Sequence, residues 1–200
     1  MAPQRRTFGP ADRVTFARAV LVCAVAGLAM AVARLGSGGT AGLLVGPLVG
    51  LAAVALVLDG VDGLVARRTG TVSAFGARFD MEVDAVLILV LSLHVARELG
   101  AWVVAIGAAR YLLFLAQRVW PWLCRGLPPS RWRKAVAAYQ GIALTTASAH
   151  LLPVTGVAAL VAVGLVALGL SFGTEATSLW RLRAPSSIAP VAPGLSSVLE

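Results

Sequence analysis

The sequence predicts an all-α integral membrane protein, and three observations carry that prediction. Of the 200 residues, 58% are hydrophobic and 13% charged, about half the charged share of an ordinary soluble domain, ~25%. Apolar runs near the roughly 20 residues that a helix needs to cross a bilayer recur along the chain. The cations, finally, gather in alternate breaks between those runs. Lipid offers no partner to a free backbone N–H or C=O, so spanning segments are helices or a closed barrel, and continuous apolar runs of this length mean helices.

Six transmembrane spans follow, at about 14–35, 41–66, 76–98, 101–120, 135–152 and 154–173. The first begins after the polar patch Pro10-Ala11-Asp12-Arg13 and ends at Gly36-Ser37-Gly38-Gly39. Gln4-Arg5-Arg6 ahead of it and Ala31-Val32-Ala33 near its end resemble an export signal. Its apolar run exceeds the 7–15 residues of a typical signal core, roughly, so a retained first helix is expected. The second span ends at Arg67-Arg68-Thr69-Gly70 and the third at Glu98-Leu99-Gly100. The fourth precedes the longest internal loop, which holds Pro128-Pro129-Ser130, and the last two complete the bundle. The expected organisation is a cytoplasmic N-terminal segment 1–13, one six-helix domain 14–175, and a cytoplasmic tail 176–200 rich in Pro, Ser and Ala and expected to be disordered.

Charge placement orients the bundle. Arg5, Arg6, Arg13 and Arg18, then Arg67, Arg68 and Arg78, then Arg118, Arg125, Arg131, Arg133 and Lys134, then Arg181 and Arg183 fall on one side, fourteen of the seventeen cations. Arg34 and Arg97 fall on the other side, and Arg110 lies inside the fourth span. Cations accumulate in cytoplasmic loops, so both termini face the cytoplasm of a multi-pass cell-membrane protein. The net charge of +8 is then a collar for anionic lipid head groups, on the order of 1 kcal/mol per residue near the surface. With no soluble module to carry it, nucleic-acid binding is not expected. Cys23 in the first span and Cys124 in a cytoplasmic loop are too far apart to pair and suggest neither a disulfide nor a thiolate metal site.

Against this apolar background, residues 58–84 hold five of the nine acidic residues. Asp59 and Asp62 lie near the cytoplasmic end of the second span, and Asp80 and Asp84, four apart, near the start of the third, with a loop of about ten residues between the spans. Two adjacent antiparallel helices would thus turn two carboxylate pairs toward each other. An ionised carboxylate inside a bilayer costs at least about 2.5 kcal/mol, so the cluster needs compensation. Salt bridges to Arg67 and Arg78, shared protons, or divalent cations are the possible sources, but two arginines cannot balance four carboxylates and also serve a substrate, so hard cations fit better. Oxygen-only donors without His or Cys suit Mg²⁺ or Mn²⁺. Gly60, Gly63 and Ala66 clear one face of the second helix for a ligand or a neighbouring backbone. The pattern fits a metal-dependent phosphate site, and also a proton or ion pathway of a small transporter, or a structural cluster of helix-end charges. A transporter would spread its carboxylates through the membrane, whereas these gather at one end.

Asp59-Gly-Val-Asp62-Gly63-Leu-Val-Ala66-Arg67, eight residues, Gly76, three residues, Asp80, three residues and Asp84 resembles the signature of the CDP-alcohol phosphotransferases, DxxDGxxAR(x8)GxxxDxxxD, at every fixed position. The resemblance covers roughly residues 10–175 and implies a transfer reaction of phospholipid biosynthesis. An alcohol hydroxyl attacks the β-phosphorus of a CDP-linked donor, releasing CMP and leaving a phosphodiester. It implies that Asp59, Asp62, Asp80 and Asp84 hold two divalent ions, Mg²⁺ or Mn²⁺, and that Asp84 is also the general base. It places Gly63, Ala66 and Arg67 against the CDP moiety, with Gly76 and Ser73 nearby. CDP-diacylglycerol is the expected donor, since acyl chains can slide between helices from the bilayer. Homodimerisation, common in the family, is expected through the Gly- and Ala-rich later helices.

Upstream, Asp12-Arg-Val-Thr15-Phe-Ala-Arg18 resembles the family's NxxTxxR segment, with Asp12 in place of Asn, which makes Thr15 and Arg18 either substrate-side or structural residues. Arg110, deep in the fourth span, together with Arg118, Arg131, Arg133 and Lys134, is the candidate site for an anionic acceptor such as glycerol phosphate, inositol phosphate or phosphatidylglycerol. Ser130-Arg131-Trp132-Arg133-Lys134-Ala135 differs from the GKxKT often found near here in glycerophosphate-using relatives, and its cations also read as a positive collar. Glu82 lies off the face shared by Asp80 and Asp84 and is expected to meet solvent. His94 and His150 are expected to be ordinary residues of the outer interface.

Overall fold

A computed structural model describes residues 10–36, 38–69, 74–120 and 131–183; the side chains of 10–13, 61–69, 74–75, 77, 117, 131, 175–176 and 178–183 lie outside the description. Among the described residues the chain forms six α-helices and no strand: α1 (Pro10–Leu35), α2 (Gly39–Thr69), α3 (Ala74–Leu99), α4 (Val104–Val119), α5 (Arg131–Ser148) and α6 (Val154–Arg183). A 3₁₀ turn, Ala101–Val103, leads into α4.

Helix boundaries follow local chemistry. α1 starts at Pro10, earlier than the apolar run, because proline's fixed φ suits a first helical residue whose N–H has no intrahelical partner. Gly36 and Gly100, at φ 68° and 99°, follow the ends of α1 and α3. Both take a positive φ, which glycine adopts at little steric cost where a helix stops, and the Gly100 N–H donates to the Ala96 carbonyl at 2.9 Å. α2 continues to Thr69 and α3 begins at Ala74, so the loop expected to hold about ten residues shrinks to 70–73, which lie outside the described residues. α6 runs on to Arg183, which makes 176–183 helical rather than part of the tail. No proline interrupts it before Pro185, and a residue preceding proline disfavours the α region. Residues 184–200 lie outside the described residues.

Three stretches, Val14–Leu35, Gly39–Gly60 and Val154–Thr174, are long and apolar enough to cross a membrane, and Ala101–Ala116 is a shorter apolar helix. α3 is as long, 26 residues, but carries Arg78, Asp80, Glu82 and Asp84 at one end and Arg97 and Glu98 at the other.

α3 is central, packing against α1, α4 and α5, while α5 also touches α2 and α6. α1 and α5 each lie against both α2 and α3, whereas α2 and α3 make little direct contact among the described residues. The expected face-to-face pairing of those two helices is therefore replaced by an arrangement with α1 between them.

The core shows why. On α1 the buried stripe runs Arg18, Val22, Val25; on α2 it runs Leu48, Ala52, Ala55; on α3 it runs Val83, Leu87, Leu91, Val95. Steps of three and four residues keep each set on one helix face. The same steps carry the α2 stripe on to Asp59 and the α3 stripe back to Asp84 and Asp80. Three apolar seams thus end in charged residues at the same end of the bundle, the N-terminal ends of α1 and α3 and the C-terminal end of α2.

Candidate active site

The charges meet on one guanidinium. Arg18 is fully buried; its Nη1 lies 3.0 Å from Asp59 Oδ1 and also donates to Asp80 Oδ1, and its Nη2 donates to Asp84 Oδ1 at 2.8 Å. The three carboxylates come from two helices and the arginine from a third. Their side chains keep 39%, 34% and 31% exposure against 0% for Arg18, so the cation closes the inner floor and the carboxylates open outward. Among the described residues Arg18 Nε has no hydrogen-bond partner. A buried guanidinium is stable only when paired, and here three carboxylates face one cation. Near-surface like charges a few Å apart repel by about 4 kcal/mol at an effective dielectric of ~20, so the cluster holds capacity for further positive charge.

The ion pair thus forms with Arg18 of α1 and not with Arg78, which is exposed; the Arg67 side chain lies outside the described residues. Thr15, one turn before Arg18, is buried on the same face. The signal for Arg18 was present in the sequence, as a cation occupying the apolar step 18, 22, 25, but only the packing of α1 between α2 and α3 connects it to the aspartates.

Asp62, Gly63, Ala66 and Arg67 fall on the last turns of α2, with side chains outside the described residues, and Ser73 lies outside them altogether. Gly76 is half-buried near the start of α3, one turn before Asp80. Among the described residues no group of three or more His, Cys, Asp or Glu side chains is arranged to hold a metal ion; the Oδ1 atoms of Asp59, Asp80 and Asp84 are engaged by Arg18 instead. The donor set still fits a hard divalent cation chemically. It is all oxygen, it converges within the reach of one guanidinium, and it carries excess negative charge.

The acceptor candidates are not drawn into this cluster as a group. Arg110 of α4 donates from Nη2 to Glu82 Oε1 of α3 at 2.7 Å, so Glu82 is paired rather than merely solvated. Two residues turn a helix by about 200°, which puts Glu82 on the side of α3 away from Asp80 and Asp84, and Arg110 with it. Arg118 is exposed, its guanidinium 5.1 Å from the Phe114 ring centre, within cation–π range. Arg133 is half-buried and Lys134 exposed near the start of α5, and the Arg131 side chain lies outside the described residues. At the opposite end, His150 Nε2 lies 2.8 Å from Glu98 Oε1, while His94 is buried.

The family profile described as CDP-alcohol phosphatidyltransferase matches residues 9–172. A search of curated proteins returns no match.

Proposed function

Because the chain belongs to the CDP-alcohol phosphatidyltransferase family, we propose that it transfers a phosphatidyl group from CDP-diacylglycerol to the hydroxyl of an anionic alcohol acceptor, releasing CMP. The observation that carries this reading is the convergence of Asp59, Asp80 and Asp84 at one end of the bundle, in a motif whose fourth carboxylate, Asp62, stands three residues after Asp59. In this reading the helices cross the membrane six times, with both termini and the acidic site on the cytoplasmic side.

Asp59, Asp62, Asp80 and Asp84 would hold two divalent cations, Mg²⁺ or Mn²⁺. When bound, such ions neutralise charge on a diphosphate and on its leaving phosphate. The remaining work falls to the chain. Asp84 takes the proton from the acceptor hydroxyl as its oxygen bonds to the β-phosphorus and the bond to the CMP oxygen breaks. Arg67 forks onto a phosphate. Gly63, Ala66 and Gly76, with little or no side chain, let the nucleotide approach the backbone, and Ser73 supplies a hydroxyl beside it. Arg118, Arg131, Arg133 and Lys134 on the cytoplasmic side attract a phosphate-bearing acceptor such as glycerol phosphate, inositol phosphate or a phosphatidylglycerol head group.

The test is CMP release by the purified protein from CDP-diacylglycerol with Mg²⁺ or Mn²⁺ and a panel of alcohols. Release that depends on one phosphorylated alcohol is the expected result. No release with any alcohol from a folded, metal-binding protein would overturn the proposed donor and reaction.

A further inference from the structure

Arg18 and a divalent cation make the same demand on the same atoms. Arg18 reaches Asp59, Asp80 and Asp84 through one Oδ1 each, and these are the oxygens a hard cation would need. A guanidinium and a dication drawn to the same three carboxylates compete for them, because like charges a few Å apart repel and the Oδ1 atoms already serve the arginine. The geometry points to Arg18 as an internal counter-ion that competes with divalent metals for these carboxylates, so that the arginine sets how tightly the site binds metal. The inference rests on the metal-binding reading above.

Three features support it. Arg18 is fully buried and wedged by α1 between the helices that carry the aspartates, so its charge acts at short range and is weakly screened by salt. Its two terminal nitrogens are committed to the carboxylates while Nε has no partner among the described residues, so the aspartates are what anchors it. The carboxylates, in contrast, are about one-third exposed, which gives an incoming ion a path to them from the side opposite the arginine. A positioning role alone predicts that removing Arg18 loosens the aspartates and weakens metal binding. A competing counter-ion predicts the reverse.

The experiment measures Mn²⁺ binding to the full chain in detergent by electron paramagnetic resonance, comparing the native protein with Arg18→Gln and Arg18→Lys, and follows the thermal midpoint of each with and without Mn²⁺. Arg18→Gln is expected to bind Mn²⁺ at least about tenfold more tightly, given the Coulomb energy of nearby charges at an effective dielectric of ~20. Arg18→Lys, which keeps the charge but loses the fork, is expected to fall between. Arg18→Gln is also expected to gain more thermal stability from Mn²⁺ than the native chain. Affinity unchanged or weakened in both variants would overturn the inference while leaving the metal site standing. If Arg18→Gln does not fold, Arg18→Lys alone decides by the direction of its shift. Absence of Mn²⁺ binding in all three proteins would overturn the metal reading itself, and this inference with it.

Discussion

Gly107 of α4 lies so close to α3 that a Cβ there would stand 2.6 Å from Leu89 Cα and would also collide with Ser92 Oγ. The contact is backbone to backbone, the close approach that small residues allow between helices in lipid.

Substituting Gly107 by Ala therefore forces α4 away from α3. A loss of about 1–3 kcal/mol is expected for overpacking a fitted contact, read as a lower thermal midpoint in detergent. Gly27→Ala is the control. A Cβ there meets nothing within 4 Å, and replacing a mid-helix glycine should leave stability unchanged or raise it by up to about 1 kcal/mol.

Asp84→Asn keeps the shape of the side chain and removes its capacity to accept a proton. CMP release should fall at least about 100-fold, the lower range of a general base's contribution. Helical content and thermal midpoint should stay close to native, because the Arg18 contacts to Asp59 and Asp80 remain.

Arg110→Gln and Glu82→Gln separate two roles for the fourth helix. If Arg110 holds the acceptor, its loss raises the acceptor KM with little change in kcat, whereas Glu82→Gln leaves that KM near native. The pair's own worth is small, under about 1 kcal/mol for partners this exposed, with 42% and 57% of their side chains accessible. Equal effects of the two substitutions on KM would assign Arg110 to the α3–α4 contact instead.

Chelation tests the oxygen donor set. Removing divalent ions with EDTA is expected to lower CMP release at least about 100-fold, and Mg²⁺ or Mn²⁺ to restore it, as hard cations suited to carboxylate ligands. Activity that persists after exhaustive chelation would leave the four aspartates without the proposed role.

Much of the fold was legible because the signals are local. A run of apolar residues, a glycine able to take positive φ at position 36 or 100, and a proline at 10 act within a few residues of where they stand. Ends were less legible. α2 and α3 continue through the polar residues between their apolar runs, shrinking the connection to 70–73, since Arg67, Arg68 and Thr69 tolerate a helix that apolarity alone would stop. The acidic residues were legible as a set through their spacing, but their partner was not. Glu82, exposed to solvent as expected, also pairs with an arginine 28 residues away.

By itself the sequence determined six helices, the face each aspartate occupies and the end of the bundle at which they collect, because hydropathy and the 3.6-residue period are properties of short segments. Only the tertiary structure decided what neutralises them. Arg18 stands 62 and 66 residues from Asp80 and Asp84, and its charge reaches them because α1 packs between α2 and α3, a placement set by how three buried stripes fit together rather than by any residue's neighbours in the chain.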